Sequence, residues 1–338
     1  MSAEKKFPFT PFLSALLLVL MAVGGLNYLI DPLWYAHGNQ LTGRNYAFNE
    51  RIAKVNLLRR SQPHSRYDCL IFGSSRVTAL PASRFAGQRC FNFALRGAEV
   101  GEFEAYARHA RSLGLQPKTI YVGVDDFNFL HDPKTERRAN PQVKGTPDFF
   151  HAFLSADVLV FSLMTVAGLS PDSRSYYDQQ FEEQSTPSEP WPGMLGNEPE
   201  LSCDDAAVAR YIALRKIFPE ARAIAYAPLM APRQQMNGVY LRGVLDCELA
   251  GFHAVAQGYD AFLDFGIPSV ISTDAAMTFD GAHFYSLPNA AVADQLQGRR
   301  SDLALDVKAM SLTDYQAEVK KRLRDYLERE KLMEWWRG

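Results

Sequence analysis

The sequence predicts an α/β domain with a parallel sheet between layers of helices, attached to an N-terminal transmembrane helix. Short apolar runs alternate with helical stretches through most of the chain, and the first 30 residues contain a long uncharged segment. Such alternation favours a parallel sheet with functional loops at the carboxyl ends of its strands. The 338 residues are 47% hydrophobic, which is enough for one large core. A net charge of −2 without a long basic block makes nucleic acid an improbable partner.

The N-terminal segment from Phe7 to Ile30 carries no charged side chain over 24 residues and follows two adjacent lysines. A helix from Phe12 to Ile30 would be about 28 Å long at about 1.5 Å per residue, close to the thickness of the hydrocarbon layer. The alternative is a cleaved signal peptide, although the apolar run is longer than such peptides usually have. Because basic residues favour the cytoplasmic side, we expect residues 1–30 to form a cytoplasmic stub and a single-pass anchor in a bacterial inner membrane. The remaining chain would then lie on the periplasmic or outer side.

The α/β domain is expected over residues 66–298, after a connector at 31–65. Its strands are short apolar runs, most of which stop at glycine or proline, and its helices have apolar residues three or four positions apart. In order, the predicted elements are strands at 68–72 and 90–94, a helix at 99–113, a strand at 119–124, a helix at 204–217, a strand at 221–227, a helix at 240–255, a strand at 261–265 and a helix at 288–296.

Two regions interrupt or extend this pattern. Residues 131–201 are rich in Pro, Ser, Asp and Glu and contain one apolar patch at 149–166, which indicates an insertion. It either shapes a site as a lid or decorates the surface. Residues 299–338 are predicted to contain a C-terminal amphipathic helix, which either docks on its own domain or contacts the membrane or a partner.

The four cysteines would lie in an oxidising compartment, where disulfides are permitted. Cys69 and Cys90 fall in apolar strands, and we interpret them as small buried side chains. Cys203 and Cys247 flank polar helical segments and are the better candidates for a disulfide. No Cys and His spacing typical of a metal site is present, so we expect no metal ligands.

Two short motifs carry the residue types that nucleophilic catalysis needs. The first is Gly73-Ser-Ser-Arg76, which places serines at the carboxyl end of the first strand, although a plain turn has the same composition. The second is Asp280-Gly-Ala-His283, in which a carboxylate can hold the Nδ1 proton of an imidazole and leave Nε2 as a base. The pattern recurs at Asp148-Phe-Phe-His151, but only the later copy follows the last strand and precedes a helix.

Taken together, these motifs resemble the SGNH (GDSL-type) hydrolase superfamily, which implies a flavodoxin-like three-layer sandwich. On this resemblance Ser75 would be the nucleophile, Asp280 the residue that orients the base, and His283 the base. Ser74 stands where the family usually has aspartate.

The resemblance also implies a set of residues that would bind the oxyanion. Asn92 and Gly97 match the second block of the family, with the Gly97 N–H as a donor. The third block departs from the family because Asp125 occupies the place of the oxyanion-hole asparagine, and an ionised carboxylate cannot donate a hydrogen bond. Asn128 or Arg76 would then have to substitute for that donor.

An anchored, exported domain of this kind is similar to the accessory proteins of cell-envelope acylation, such as those of alginate O-acetylation and teichoic acid D-alanylation. The resemblance implies an acyltransferase that acts on a polysaccharide through a serine acyl intermediate, beside a multipass membrane-bound O-acyltransferase and without a cofactor. Two alternatives remain open at this point: an envelope esterase or deacetylase, and a non-catalytic scaffold or glycan-binding subunit.

Overall fold

The computed structural model describes residues 9–62, 66–131, 139, 141–143, 147–172, 175–186, 189–196 and 199–337. Residues 1–8, which begin the predicted stub and anchor at 1–30, and the final residue Gly338 lie outside this part of the chain. The helices are α1 Phe9–Ile30, α2 Glu50–Ser61, α3 Val100–Ser112, α4 Phe149–Phe153, α5 Ala156–Val166, α6 Ala206–Ile217, α7 Pro232–Gln235, α8 Leu245–Gln257, α9 Ser286–Leu296 and α10 Leu312–Arg329. The strands are β1 Cys69–Phe72, β2 Cys90–Asn92, β3 Thr119–Gly123, β4 Leu130–His131, β5 Ser175–Tyr177, β6 Glu183–Ser185, β7 Ser202–Cys203, β8 Arg222–Ala227, β9 Ala261–Asp264 and β10 Leu305–Asp306.

Contacts divide the chain into two compact units. The first unit comprises Met1–Arg60 and Lys144–Phe181, and the second comprises Ser61–Val143 and Glu182–Gly338. These boundaries differ from the predicted segments, because α4 and α5 pack against α1 although the sequence pattern assigned them to an insertion in the α/β domain.

The second unit contains a six-stranded sheet in the spatial order β10-β9-β8-β3-β1-β2. All neighbouring strands are parallel except β10, which pairs antiparallel with β9 at one edge. The predicted α/β class with a mostly parallel sheet is therefore confirmed. Counted along the chain, the five parallel strands have the order 2-1-3-4-5, and this order reverses between β1 and β3. In doubly wound sheets, ligands bind at the carboxyl ends of the strands where such a reversal occurs.

Helices cover this sheet and complete its core. Helices α3, α6, α8 and α10 pack in a row against one another. On the other side, Ile71, Tyr121 and Ile224 of the strands join Val292 and Leu296 of α9 in one buried cluster. Because neighbouring strand residues point to opposite faces, the fully apolar strands predict burial on both sides.

The C-terminal helix α10 docks on its own unit. Ser311 caps its start by accepting a hydrogen bond from the Asp314 N–H at 3.1 Å. The side chains that give this helix its apolar stripe are all buried: Tyr315, Val319, Leu323, Tyr326 and Leu327. Of the two interpretations of this segment, the structure therefore supports docking.

Several elements differ from the predicted ones for identifiable reasons. Helix α2 lies in the predicted connector. The sequence pattern did not predict it because it buries charged residues, including Glu50 and Lys54, instead of a regular apolar stripe. Glu50 accepts a hydrogen bond from the Tyr177 hydroxyl within the first unit. Helix α8 begins later than predicted, because a short π-helix ends before it and Gly243 adopts a positive φ of 75°. Strand β10 is only two residues long and leaves no periodic pattern.

Two apolar segments of the first unit have the length and composition of a membrane span. Helix α1 has a mean hydropathy of 2.1 in its most apolar window, and the Phe149–Val166 segment reaches 1.8. Most of α1 is exposed, as a lipid-facing helix would be. The core helix of a soluble protein and a signal sequence can have the same length and composition.

The cysteines form two disulfides. Cys69 and Cys90 are buried as predicted, but the interpretation as simple apolar side chains is wrong because their sulfur atoms are bonded. The parallel register sets Cys69 directly beside Cys90, with 4.2 Å between the Cα atoms, and sequence patterns do not reveal that register. Cys203 is bonded to Cys247 across a Cα separation of 6.0 Å.

Candidate active site

The structure brings together the serine of the first motif and the histidine of the second. The Ser75 Oγ lies 2.8 Å from the His283 Nε2, although the residues are 208 positions apart. The His283 Nδ1 lies 2.9 Å from one carboxylate oxygen of Asp280 and 3.1 Å from the other. Because a carboxylate only accepts hydrogen bonds, the Nδ1 carries the proton and the Nε2 can accept the Ser75 hydroxyl proton. The three side chains thus form one continuous hydrogen-bonded array at the sheet edge.

The loop after β1 holds Ser75 in place. The Thr78 Oγ1 donates a hydrogen bond to the Ser75 carbonyl at 2.8 Å, and the Val77 N–H donates to the Ser74 carbonyl at 3.0 Å. Val77 also packs against Gly73 and Gly123, where a Cβ on either glycine would lie 2.5 Å from its methyl group. Ser75 is therefore presented by a turn that is fixed against the ends of β1 and β3.

A second loop fixes the histidine. The Thr278 Oγ1 donates to the His283 carbonyl at 2.8 Å and accepts from the Gly281 N–H at 2.9 Å. Gly281 has a φ of 83°, and a Cβ there would lie 2.5 Å from the Trp191 ring. Trp191, which belongs to the predicted insertion, therefore packs directly against the loop that carries His283. Sequence reasoning missed both Thr278 and Trp191, because only the fold shows that they are neighbours of this motif.

The Asp280 side chain beside the imidazole is a charged carboxylate. Partial burial acts to raise the pKa of this carboxyl group, but hydrogen bonds from the His283 ring and from the His283 and Ala282 N–H groups hold the pKa far below its usual range. Asp280 is therefore ionised at every pH at which proteins are normally assayed. An ionised partner stabilises the imidazolium that forms when His283 takes a proton.

Asn92 and Asn128, which were predicted to bind the oxyanion, instead make hydrogen bonds within the protein. The Asn92 side-chain N–H groups donate to the carbonyls of Val77, Thr78 and Leu80, and its oxygen accepts from the Ala94 N–H. Asn92 thus ties the serine loop to β2.

Asn128 has a similar structural position. Its amide donates to the Tyr211 hydroxyl at 3.1 Å and accepts from the Val100 N–H at the start of α3 at 3.2 Å. With both ends of the amide engaged, Asn128 holds the loop after β3 against two helices.

Gly97 stands apart from these two residues. It adopts a φ of 62°, a conformation that favours glycine, and it is exposed. None of the hydrogen bonds among the described residues uses its N–H group. This N–H is therefore available for a ligand, as is the N–H of Ser75, which is likewise unused within the described part of the chain.

Ser74, Arg76, Asp125 and Asp126 form a buried polar layer next to Ser75. The Arg76 Nη1 contacts Asp126 at 2.6 Å, and its Nε lies 3.8 Å from Asp125. Burial acts to lower the pKa of Arg76, but interactions with the neighbouring carboxyl groups, chiefly Asp126 and Asp125, raise the pKa by more than burial lowers it. The guanidinium therefore stays charged. The Ser74 Oγ accepts a hydrogen bond from the Arg76 N–H at 3.2 Å. Arg76 is thus held mainly by Asp126.

Asp125 is fully buried, and neither carboxylate oxygen has a hydrogen-bond partner among the described residues. Burial raises its pKa to about 6, although the neighbouring Arg76 charge opposes this shift. It lies close enough to His283 for their charges to interact. Below that pH the side chain is a neutral acid, which can donate a hydrogen bond as an asparagine does.

The second copy of the Asp-x-x-His pattern has a different place. Asp148 caps α4 by accepting from the His151 N–H at 3.0 Å, and both side chains are exposed in the first unit. This copy of the pattern is therefore a helix cap. Among the described residues, no group of three or more His, Cys, Asp or Glu side chains is arranged to hold a metal ion.

Comparisons with known proteins do not assign a family. No protein-family model matches the chain, and no curated protein matches it. Among solved structures, a protein from Streptococcus pneumonia described provisionally as a platelet activating factor is similar, with 13% identity and a TM-score of 0.42. The match covers 74% of this chain and 92% of that chain. Similarity at this level does not assign an activity.

Proposed function

We propose that this protein is a membrane-anchored, exported serine acyltransferase of SGNH type that acts on a cell-envelope or extracellular polysaccharide. The observation that carries the proposal is the continuous array of Ser75, His283 and Asp280 at the carboxyl edge of a parallel sheet, where the strand order reverses. Each of the three contacts lies within hydrogen-bond distance, which is the geometric requirement for an activated serine.

The first half of the reaction forms an acyl-serine. The Ser75 oxygen attacks the carbonyl carbon of the acyl donor while His283 takes the hydroxyl proton at Nε2. Asp280 stabilises the resulting imidazolium. The N–H groups of Gly97 and Ser75 are the candidates to bind the oxyanion. The tetrahedral intermediate then collapses, the bond to the leaving group breaks, and that group receives the proton from His283.

The second half moves the acyl group to its acceptor. A sugar hydroxyl attacks the acyl carbon, and His283 now takes the proton of that hydroxyl. Collapse of the second intermediate breaks the bond to the Ser75 oxygen, which recovers its proton from the imidazolium. The chain's own residues thus supply the nucleophile, the base and the charge that stabilises the base.

Hydrolysis is the second candidate function, and the exposure of the site favours it. Ser75 is only half-buried and the Asp280 side chain is 42% exposed, so water can reach the acyl-serine as readily as a sugar hydroxyl. In that case the protein would be an envelope esterase or deacetylase. A scaffold or glycan-binding role would leave the alignment of the three side chains without a purpose.

The membrane position of the enzyme is part of the same proposal. Helix α1 follows Lys5 and Lys6, which favours a cytoplasmic N-terminus. We therefore propose that the catalytic unit lies on the periplasmic or outer side of a bacterial inner membrane. Acyl groups that are activated in the cytoplasm must cross this membrane. A multipass membrane-bound O-acyltransferase is the partner that we propose for this delivery.

The nucleophile can be tested with a fluorophosphonate probe on the full-length protein in detergent. We expect the probe to label the wild type and the control Ser112→Ala, which removes an exposed hydroxyl at the end of α3, but not Ser75→Ala. Undiminished labelling of Ser75→Ala would rule out the assigned nucleophile.

Transfer and hydrolysis can be separated by following the acyl-enzyme. We expect an aryl acetate to acylate Ser75, and we expect the rate of deacylation to increase with the concentration of an added polysaccharide whose product carries the acetyl group. Rapid release of free acetate at a rate that the polysaccharide does not change would instead identify an esterase.

A further inference from the structure

Outside α1, exposed apolar side chains of the described residues concentrate in one segment of the first unit. This segment, Phe149–Leu169, contains α4 and α5 and is called the elbow below. The large apolar side chains that it exposes by 47% to 68% are Phe149, Phe150, Val160, Leu163, Val166 and Leu169. Asp157 is the single charged residue of the segment, if His151 is neutral. A soluble surface rarely carries so many apolar side chains together.

The elbow is bound to α1 through a buried polar contact. At the break between α4 and α5, the Asn27 side chain donates to the Phe153 carbonyl at 2.8 Å. It also lies 3.4 Å from the Ser155 carbonyl, which already accepts the Leu159 N–H of α5. Asn27 is completely buried. Satisfying such carbonyls internally is a requirement for irregular backbone in a lipid environment, where no water replaces the missing partner.

Apolar contacts surround this polar contact. Gly24 allows the Leu154 side chain to approach so closely that a Cβ on the glycine would lie 3.1 Å from it. The Tyr28 ring packs edge-on against Phe153, with 5.4 Å between centroids. Small residues and single polar groups at a helix contact are typical of packing within membranes. The elbow therefore adjoins the part of α1 near its end at Ile30.

The path of the chain excludes a second complete crossing. After the elbow, Tyr177 exchanges two backbone hydrogen bonds of 2.8 Å with Asn45, which follows α1. Before the elbow, residues 132–146 are too polar to cross a bilayer. Both ends of the elbow must then lie on the side to which α1 delivers the chain. Helix α5 has 11 residues, about 16 Å at about 1.5 Å per residue, or roughly half the hydrocarbon thickness.

We propose that the elbow inserts into the outer leaflet of the bilayer beside α1, with its exposed apolar face covered by lipid acyl chains. The inference rests on the proposed membrane anchoring of α1 and is independent of the chemistry of Ser75. The exposed face of the elbow is apolar like that of α1, which it adjoins, and Asp157 is the single charged residue of the segment if His151 is neutral, whereas specific protein interfaces carry a polar rim. The protein then contacts the membrane through a span and a re-entrant helix pair, which fixes how the first unit is held at the membrane surface.

Fluorescence quenching in vesicles of phosphatidylethanolamine and phosphatidylglycerol tests this arrangement. The full-length chain would carry one added cysteine at a time, labelled with an environment-sensitive dye without reductant so that the four native cysteines stay bonded. The elbow variants are Leu163→Cys and Val160→Cys. The anchor reference is Leu17→Cys, and the aqueous control is Leu287→Cys, an exposed apolar residue of the second unit.

We expect brominated acyl chains to quench the dyes at Leu163, Val160 and Leu17 at least threefold more strongly than the dye at Leu287. Aqueous iodide should show the opposite order. Elbow dyes that only iodide quenches, while the Leu17 dye responds to lipid, would overturn the elbow proposal and leave the anchor intact. Elbow dyes that neither agent reaches would indicate a protein cover and would also overturn it. A Leu17 dye outside the lipid would overturn the anchor itself.

Discussion

His283 can act as a base only in one tautomer, and Asp280 selects that tautomer. The carboxylate accepts the Nδ1 proton at 2.9 Å, so the lone pair of Nε2 is directed to Ser75. An amide at position 280 could donate to Nδ1 as well as accept from it, so the preference for this tautomer would be lost.

The Asp280→Asn variant should therefore lose activity without losing its fold. We expect kcat for an aryl acetate to fall by about 10²- to 10⁴-fold, because the wrong tautomer leaves no base for the serine. The remaining amide oxygen can still accept the Ala282 N–H, so the thermal unfolding temperature should change little. A kcat within a factor of three of the wild type would contradict the assigned role of Asp280.

We expect Asp125 to give the proposed reaction a pH dependence of its own. With a pKa of about 6, its carboxyl group can donate to an oxyanion only when protonated, whereas an asparagine can donate at every pH. The ratio of kcat of Asp125→Asn to kcat of the wild type should increase as the pH rises through 6, by about tenfold to a hundredfold at pH 8. Taking the ratio cancels the pH dependence that both enzymes share. A ratio that is constant from pH 5 to 8 would show that Asp125 is no donor.

At the scale of elements, the contact of Val77 with the ends of β1 and β3 determines where the serine turn lies. Gly123→Ala would put a methyl group 2.5 Å from the Val77 side chain. We expect a loss of about 1–3 kcal/mol in the free energy of unfolding, together with slower probe labelling of Ser75, because the turn must shift.

The double variant Gly123→Ala/Val77→Ala supplies the control for this contact. Removing the Val77 methyl groups should restore much of the labelling rate, while the stability stays low because a cavity remains. Equal labelling rates in the wild type and in both variants would indicate that the contact does not position Ser75.

Local patterns predicted the elements that end in functional loops, and they failed where a residue works through distant partners. The Ser75 and Asp280-x-x-His283 motifs were visible because each is a short segment at the end of an apolar run. Asn92 was assigned to the oxyanion from a resembled block and Asn128 as a possible substitute donor, yet their amides bind the backbone and Tyr211, which no local pattern shows. Trp191 lies 92 residues before His283 in the sequence. Only the fold brings its ring against Gly281, in the loop that carries His283.

At the scale of the whole molecule, the alternation of strands and helices predicted the sheet, but not the division into units. The apolar stretch that begins at Phe149 was visible in the sequence, and its packing partner was not. Pairing of two apolar helices more than a hundred residues apart depends on contacts such as Asn27 with Phe153. A hydropathy pattern indicates that the apolar surface of such a helix must be shielded from water. It does not identify the segment that packs against that surface.

Buried carboxyl groups should make the stability of the second unit fall as the pH rises through 6. Burial raises the pKa of both Asp125 and Asp264 to about 6, and for Asp264 a hydrogen bond from Tyr315 opposes the shift. The unfolded chain has a pKa near 3.9 at these groups, so the folded state binds their protons more tightly and loses this advantage at higher pH.

We expect the free energy of unfolding to be on the order of 2 kcal/mol lower at pH 7.5 than at pH 5. Urea unfolding of the full chain in detergent, followed by tryptophan fluorescence, measures the difference. Asp264→Asn should reduce the slope with pH, whereas the exposed-site control Asp302→Asn should not change it between these pH values. A stability that increases from pH 5 to 7.5 would contradict the assignment.

The separation of Ser75 and His283 by 208 residues also bears on how the protein is made. A nascent chain that has emerged only through its first two hundred residues contains Ser75 but not His283. On the proposed mechanism such a chain has no base aligned with its serine and cannot form an acyl-serine. On the proposed topology, β9 and the loop that carries His283 join the sheet only after export, so the order of residues along the chain delays the expected chemistry until that stage.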